Sequence, residues 1–219
     1  MLNQNMLQMG RKRSVIREIF EFSRARANTV GAENVYDFSL GNPSIPAPKE
    51  VEEAIVSTLQ SGDSLSVHGY TSAGGADWAR AAIAASLGRR FHTEIGKDDL
   101  YLTCGASAAL SAVFRALTIG PHTQFVAIAP FFPEYRYYVG EAKLVVAQAD
   151  REHFQIDLVA LENAITEDTQ AVIVNSPNNP TGVIYTEETL LGLSALLSRK
   201  SAEYAHTIYI VSDEPYREL

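Results

Sequence analysis

Between Leu100 and Ser212 short apolar runs alternate with stretches of helical periodicity, and this alternation restricts the fold more than any other property of the chain. The runs at 100–103 (LYLT), 124–129 (QFVAIA), 144–147 (LVVA), 171–174 (AVIV) and 208–212 (IYIVS) predict strands. Helices are predicted near 106–118, 133–140, 157–165 and 187–199. The first of these has Leu110, Val113, Phe114 and Leu117 on one face. Strands that are apolar on both faces need cover on both sides, and alternation with helices provides it. The expected class is therefore α/β, a three-layer α/β/α arrangement around a mostly parallel sheet. Such sheets bind ligands beyond the carboxyl ends of their strands. Four segments fall there: CGAS, PFFPEY, NSPNNPTG and SDEPY.

The part before Leu100 reads differently. Residues 11–28 form an amphipathic pattern, with Val15, Ile16, Ile19 and Phe20 on one face and charges elsewhere. Gly31 is placed to stop that helix. Asp37–Leu40 reads as a short strand, and Gly41, Asn42 and three prolines then enforce an extended loop. Val51, Ala54, Ile55 and Leu59 mark a further helix. SVHGYTSAGG is expected to be a loop leading to a helix over about 76–91.

Charge and cysteine content remove several function classes. A formal net charge of −8 over 219 residues gives no basic face for nucleic acid. The single cysteine, Cys104, rules out an intrachain disulfide and a multi-cysteine zinc site, and fits a reducing compartment. The five histidines are scattered without HExxH spacing, so no metal is expected. Near the N-terminus Arg17, Glu18 and Glu21 interrupt the apolar residues, which excludes a signal-type core. No run approaches the roughly 20 apolar residues that span a bilayer. A soluble cytoplasmic protein is expected, without membrane or nucleic-acid partners.

The strand-end segments carry the chemistry. Gly105 permits a sharp turn, and Ala106 and Ser107 then open a helix whose free N–H groups suit an anion. Neither GxGxxG nor a Walker sequence is present, which weakens any case for NAD or ATP. In NNPTG two prolines fix the backbone around Asn179 and leave its amide as a placed donor. Asp213 ends an apolar strand, where a lone carboxylate is costly and calls for a cationic partner. Tyr216 adds a phenol, and Phe132 offers a flat face to an aromatic ring. Each feature alone has a plain structural explanation as a cap, turn or core residue. Their order along one sheet edge suits a single flat, phosphorylated pyridine ring.

With these residues in view, the chain resembles the fold-type I enzymes dependent on pyridoxal 5′-phosphate (PLP), specifically the class I/II aminotransferases. The resemblance runs from about Ser14 to the last residue. NSPNNPTG and SDEPY are its most specific parts, supported by HGYTSAGG and APFFPEY. It implies that Asn179 and Tyr216 reach the PLP 3-oxygen, Asp213 pairs with the ring nitrogen, and Phe132 stacks on the ring. It further implies that Gly105, Ala106 and Ser107 bind the phosphate, and that Tyr70 reaches the phosphate in a neighbouring subunit of a homodimer. Gly41 would meet the substrate carboxylate. Residues 1–65 would be an N-terminal arm with a small-domain segment, and 66–219 the first part of the PLP-binding large domain.

The chain departs from the family pattern at one point. The Schiff-base lysine is expected in a Ser-Lys motif beyond the Asp-Glu-Pro-Tyr segment, but the sequence given ends at Leu219 and its lysines are Lys12, Lys49, Lys97, Lys143 and Lys200. No catalytic residue is therefore assigned, and the expectation is a fragment, incomplete at the C-terminal side of the fold, with little activity alone. The implied reaction is amino-group transfer between an amino acid and a 2-oxo acid. Other readings are a different fold-type I PLP enzyme, such as a C–S lyase or decarboxylase, and a non-catalytic binding module on the same scaffold.

Overall fold

The computed structural model describes residues 2, 4–11, 15–39, 41 and 45–218. The chain divides into two compact units, Met1–Tyr70 and Thr71–Leu219. The first holds helices α1 (Gln4–Arg11), α2 (Val15–Val30), α3 (Lys49–Ser61) and α4 (Ser64–His68). Helix α2 ends as expected: Gly31 takes φ 89 and its N–H closes on the Ala27 carbonyl at 3.0 Å. The strand expected at 37–40 does not form over the described positions. Instead the Ser39 N–H and hydroxyl both bond the Asp37 carboxylate, at 2.8 and 2.6 Å, a local turn that replaces a ladder. Leu40 lies outside the described residues.

The second unit contains α5 (Asp77–Phe91), α6 (Ala106–Leu117), β1 (Gln124–Ala129), α7 (Tyr135–Tyr138), β2 (Lys143–Gln148), α8 (Leu158–Ala164), β3 (Thr169–Asn175), α9 (Glu187–Tyr204) and β4 (Tyr209–Asp213). The sheet is entirely parallel, in the order β2-β1-β3-β4. Central strands β1 and β3 are buried almost throughout, which accounts for their unbroken apolar runs. Alternate residues serve opposite faces. Val126, Ile128, Val172 and Val174 pack with Leu161 of α8 and Leu193, Leu196 and Leu197 of α9. Phe125, Ala127, Ala171 and Ile173 pack with Leu110 and Phe114 of α6 and Tyr135 of α7. This gives the expected three layers.

Most boundaries move by a residue or more, and three further differences from expectation are larger in consequence. The apolar run at 100–103 is not a strand. It gains no neighbour in the sheet, Tyr101 is exposed, and the Leu102 N–H goes to the Gly74 carbonyl at 2.9 Å. Residues 66–68, expected in a loop, belong to α4. Helix α9 runs five residues past 199, to Tyr204, and stops where Ala205 adopts φ 58 without a glycine to mark the end.

Helix α8 starts on a side-chain cap. The Asp157 carboxylate accepts from the N–H groups of Val159 and Ala160, both at 2.9 Å. Asp157→Ala is expected to lower stability by about 1 kcal/mol, read from the urea unfolding midpoint.

Candidate functional site

Strand order reverses between β1 and β3: the chain leaves β1 for β2 on one side, then crosses to β3 on the other. That reversal opens a crevice at the carboxyl ends of the strands. A cavity of about 190 Å³ lies there. Its walls include Ala106, Ser107, Phe132, Asn179, Asp213 and Tyr216, each singled out in the sequence.

One side of the cavity is built by the start of α6. Gly105 precedes it with φ 102, a conformation that suits glycine. The N–H groups of Ala108 and Ala109 both bond the Gly105 carbonyl, so those of Ala106 and Ser107 have no protein acceptor among the described residues. Together with the helix dipole they offer an anion two donors.

Asp213 closes β4 and is only 8% exposed. The Tyr135 hydroxyl donates to its Oδ2 at 2.7 Å. No arginine, lysine or histidine pairs with it among the described residues. A buried carboxylate held by one neutral donor is short of a cationic partner. Burial first, and the Asp213 carboxylate second, push the Tyr135 phenol far above its ordinary range, so it remains a donor.

Asn175 at the end of β3 ties the loops together. Its Nδ2 donates to the Asp213 carbonyl at 2.8 Å, and its Oδ1 accepts from the Asn179 N–H at 2.7 Å. The turn after it is closed by Asn178, whose side chain accepts from the N–H and hydroxyl of Thr181. The Asn179 amide is thereby fixed, and its Nδ2 donates to the Tyr216 hydroxyl at 3.3 Å. Phe132 is partly buried and meets Tyr135 edge-on, with centroids 5.7 Å apart.

Tyr135, Asn175, Tyr138 and Glu134 were not singled out in the sequence. Tyr135 and Glu134 lie inside PFFPEY and Asn175 opens NSPNNPTG, but no local pattern in those segments marks them out. Gly41 and Tyr70 belong to the N-terminal unit, where both are exposed. Among the described residues, no group of three or more histidine, cysteine, aspartate or glutamate side chains could hold a metal ion.

Tyr135→Phe removes the one donor seen on the Asp213 carboxylate. It is expected to lower stability by about 1–3 kcal/mol at pH 7. The raised phenol stabilises the fold fully below the ordinary tyrosine value of 10.0, and less as pH rises above it. The gap between wild type and variant should thus stay level up to about pH 10 and narrow beyond, in urea titrations across pH.

The family model described as "Aminotransferase class I and II" matches residues 33–219. Aspartate aminotransferase from Thermotoga maritima is 34% identical over 90% of this chain and 50% of its own length. A probable aspartate aminotransferase from Methanocaldococcus jannaschii is 30% identical over 95% of this chain and 51% of its own. Among solved structures, an aminotransferase from Eubacterium rectale is 52% identical with a TM-score of 0.97, covering 99% of this chain and 55% of the other. The chain spans about half the length of the curated relatives it matches. The family model matches well over half of the chain, and this settles the family: the chain belongs to the class I and II aminotransferases.

Proposed function

We propose that this chain supplies the cofactor-ring part of a PLP-dependent aminotransferase, acting on an amino acid and a 2-oxo acid. The observation that carries the reading is Asp213, a buried carboxylate without a cation, at the wall of a cavity sized for one small ring. The residues present fit the group. A pyridinium nitrogen would give Asp213 the missing positive partner. Bound there, PLP would supply an electron sink for bonds at an amino acid's Cα.

The protein's own part is placement and charge. Asp213 would keep a proton on the ring nitrogen, and Tyr135 would hold that carboxylate in position. Asn179 and Tyr216 would donate to the ring's 3-oxygen and fix the ring in its plane. Phe132 would cover one face and exclude water. Ala106 and Ser107 would hold the phosphate at the start of α6, with Gly105 giving the backbone its approach. Gly41 would meet the substrate carboxylate. Tyr70 would serve the neighbouring subunit of a homodimer. Residues 1–65 would then act as arm and small-domain segment, and 66–219 as large domain, in a cytoplasmic enzyme.

None of the described lysines in the unit that holds the cavity lines it. Lys97 pairs with Asp77, Lys143 opens β2 at the opposite edge of the sheet, and Lys200 pairs with Glu162 and Glu203. A lysine to move the Cα proton is therefore not among the described residues around the cavity. Residues 1–219 by themselves are expected to bind the cofactor without exchanging amino groups at a measurable rate.

Calorimetric titration with pyridoxine 5′-phosphate tests the reading, since that compound has the ring and phosphate but no aldehyde to react with surface lysines. Saturable binding that weakens at least tenfold for pyridoxine, which lacks the phosphate, is the expected result. Equal affinity for the two would sink the phosphate assignment. No binding to either would sink the site.

A further inference from the structure

Ser107 lines the cavity, but the proton of its hydroxyl is engaged with a neighbour. Ser107 Oγ lies 2.7 Å from the Tyr138 hydroxyl, and that hydroxyl donates to Glu134 Oε2 at 2.6 Å. A phenol has one proton, and a carboxylate only accepts at neutral pH. With the Tyr138 proton committed to Glu134, the short contact to Ser107 can be a hydrogen bond only if Ser107 donates. Burial, followed by the bond to Glu134, pushes the Tyr138 phenol above its ordinary range and so keeps that proton in place.

We propose that Tyr138, set by Glu134, is a positioning residue that competes with the cofactor phosphate for the Ser107 proton. While Ser107 donates to Tyr138, its hydroxyl has only lone pairs left to offer an anion in the cavity. Binding an anion then requires the Ser107 O–H to rotate from Tyr138 to the ligand, so one hydrogen bond is exchanged for another. The site gains its third donor only against this cost, while the two backbone N–H groups of α6 are free throughout. Selectivity follows, because a weak or poorly placed anion would not win the proton, whereas a phosphate monoester with several oxygens would. The position of Tyr138 supports this role. It ends α7, three residues after Tyr135, so one short helix carries both the phenol that holds Asp213 and the phenol that holds Ser107.

This inference rests on the proposed anion role of Ser107, and a double-mutant cycle separates the two. The affinities of the chain for pyridoxine 5′-phosphate and for pyridoxine are measured in wild type, Ser107→Ala, Tyr138→Phe and the double variant. Tyr138→Phe is expected to raise affinity for the phosphorylated compound about two- to tenfold, the range of one neutral hydrogen bond. It should leave pyridoxine unchanged and have no effect once Ser107 is alanine. If Ser107→Ala itself leaves phosphate-compound affinity unchanged, the anion role of Ser107 fails. If Ser107→Ala weakens binding but Tyr138→Phe weakens it too, or acts equally in both backgrounds, the competition is refuted and the anion role stands. Should Tyr138→Phe fail to fold, Glu134→Ala carries the same test. Without that carboxylate the Tyr138 proton turns to Ser107, and the gain must again vanish in the Ser107→Ala background, whereas a mere change of charge would persist there.

Discussion

Replacing Asp213 by alanine should weaken binding of pyridoxine 5′-phosphate by about 100-fold or more. Removing one partner from a buried ion pair costs about 3–5 kcal/mol, and each 1.4 kcal/mol is a factor of ten. Asp213→Asn makes the sharper comparison. It keeps the volume and an oxygen for the Tyr135 hydroxyl, and it removes only the charge. The ligand would then bind with its ring nitrogen unprotonated, which is visible as a shift in its ultraviolet absorption. Stability should move the other way. A buried carboxylate with no cation beside it burdens the ligand-free fold, so the asparagine variant is expected to unfold at equal or higher urea concentration than wild type. Weaker binding together with undiminished stability is the signature of a charge kept for a ligand. Unchanged affinity in the asparagine variant would show that the carboxylate has no partner in the ligand.

The largest loss of stability is expected from Phe114→Ala. Phe114 is fully buried between α6 and the sheet, and its ring centroid lies 4.8 Å from that of Phe125 in a tilted pair. Truncating a buried phenylalanine costs about 3–5 kcal/mol through lost transfer energy and the cavity left behind. The aromatic pair contributes about 0.5–1.5 kcal/mol of its own. Against the roughly 5–15 kcal/mol that holds a typical domain together, the variant should be largely unfolded at low denaturant. Val113 is the control: it is the preceding residue on the same helix but 40% exposed, and Val113→Ala should cost under about 1 kcal/mol. Equal urea midpoints for the two variants would mean that α6 does not pack on the sheet as described.

The sheet was legible because its central strands are apolar on both faces, a pattern that needs no partner to recognise it. LYLT at 100–103 has the same local character, yet it forms no strand, because a strand exists only where another lies beside it. Asp37 misled in a different way: its side chain satisfied Ser39 locally and removed the reason for a ladder. At the site, Asn179, Asp213, Tyr216, Phe132 and the start of α6 could be named because turn and strand-end chemistry gives them away. Tyr135 could not. A tyrosine in an aromatic cluster reads as packing, and its task is set by a carboxylate 78 residues further along the chain. Tyr138 and Glu134 stayed hidden for the same reason, since the role of each depends on where one hydroxyl proton points.

Among the described residues strand β4 pairs with β3 alone, and the side chains of Tyr209 and Ile210 are about half exposed. Asp213, the residue we propose pairs with the ring nitrogen, is therefore mounted on an edge strand of the described sheet. If β4 loosened, Asp213 would lose its register with Asn179 and Tyr216, and a ligand would meet only part of the site. Measured affinity is then the intrinsic affinity scaled by the fraction of time the strand is docked. Anything that clamps the outer edge of β4 would tighten cofactor binding without touching the cofactor.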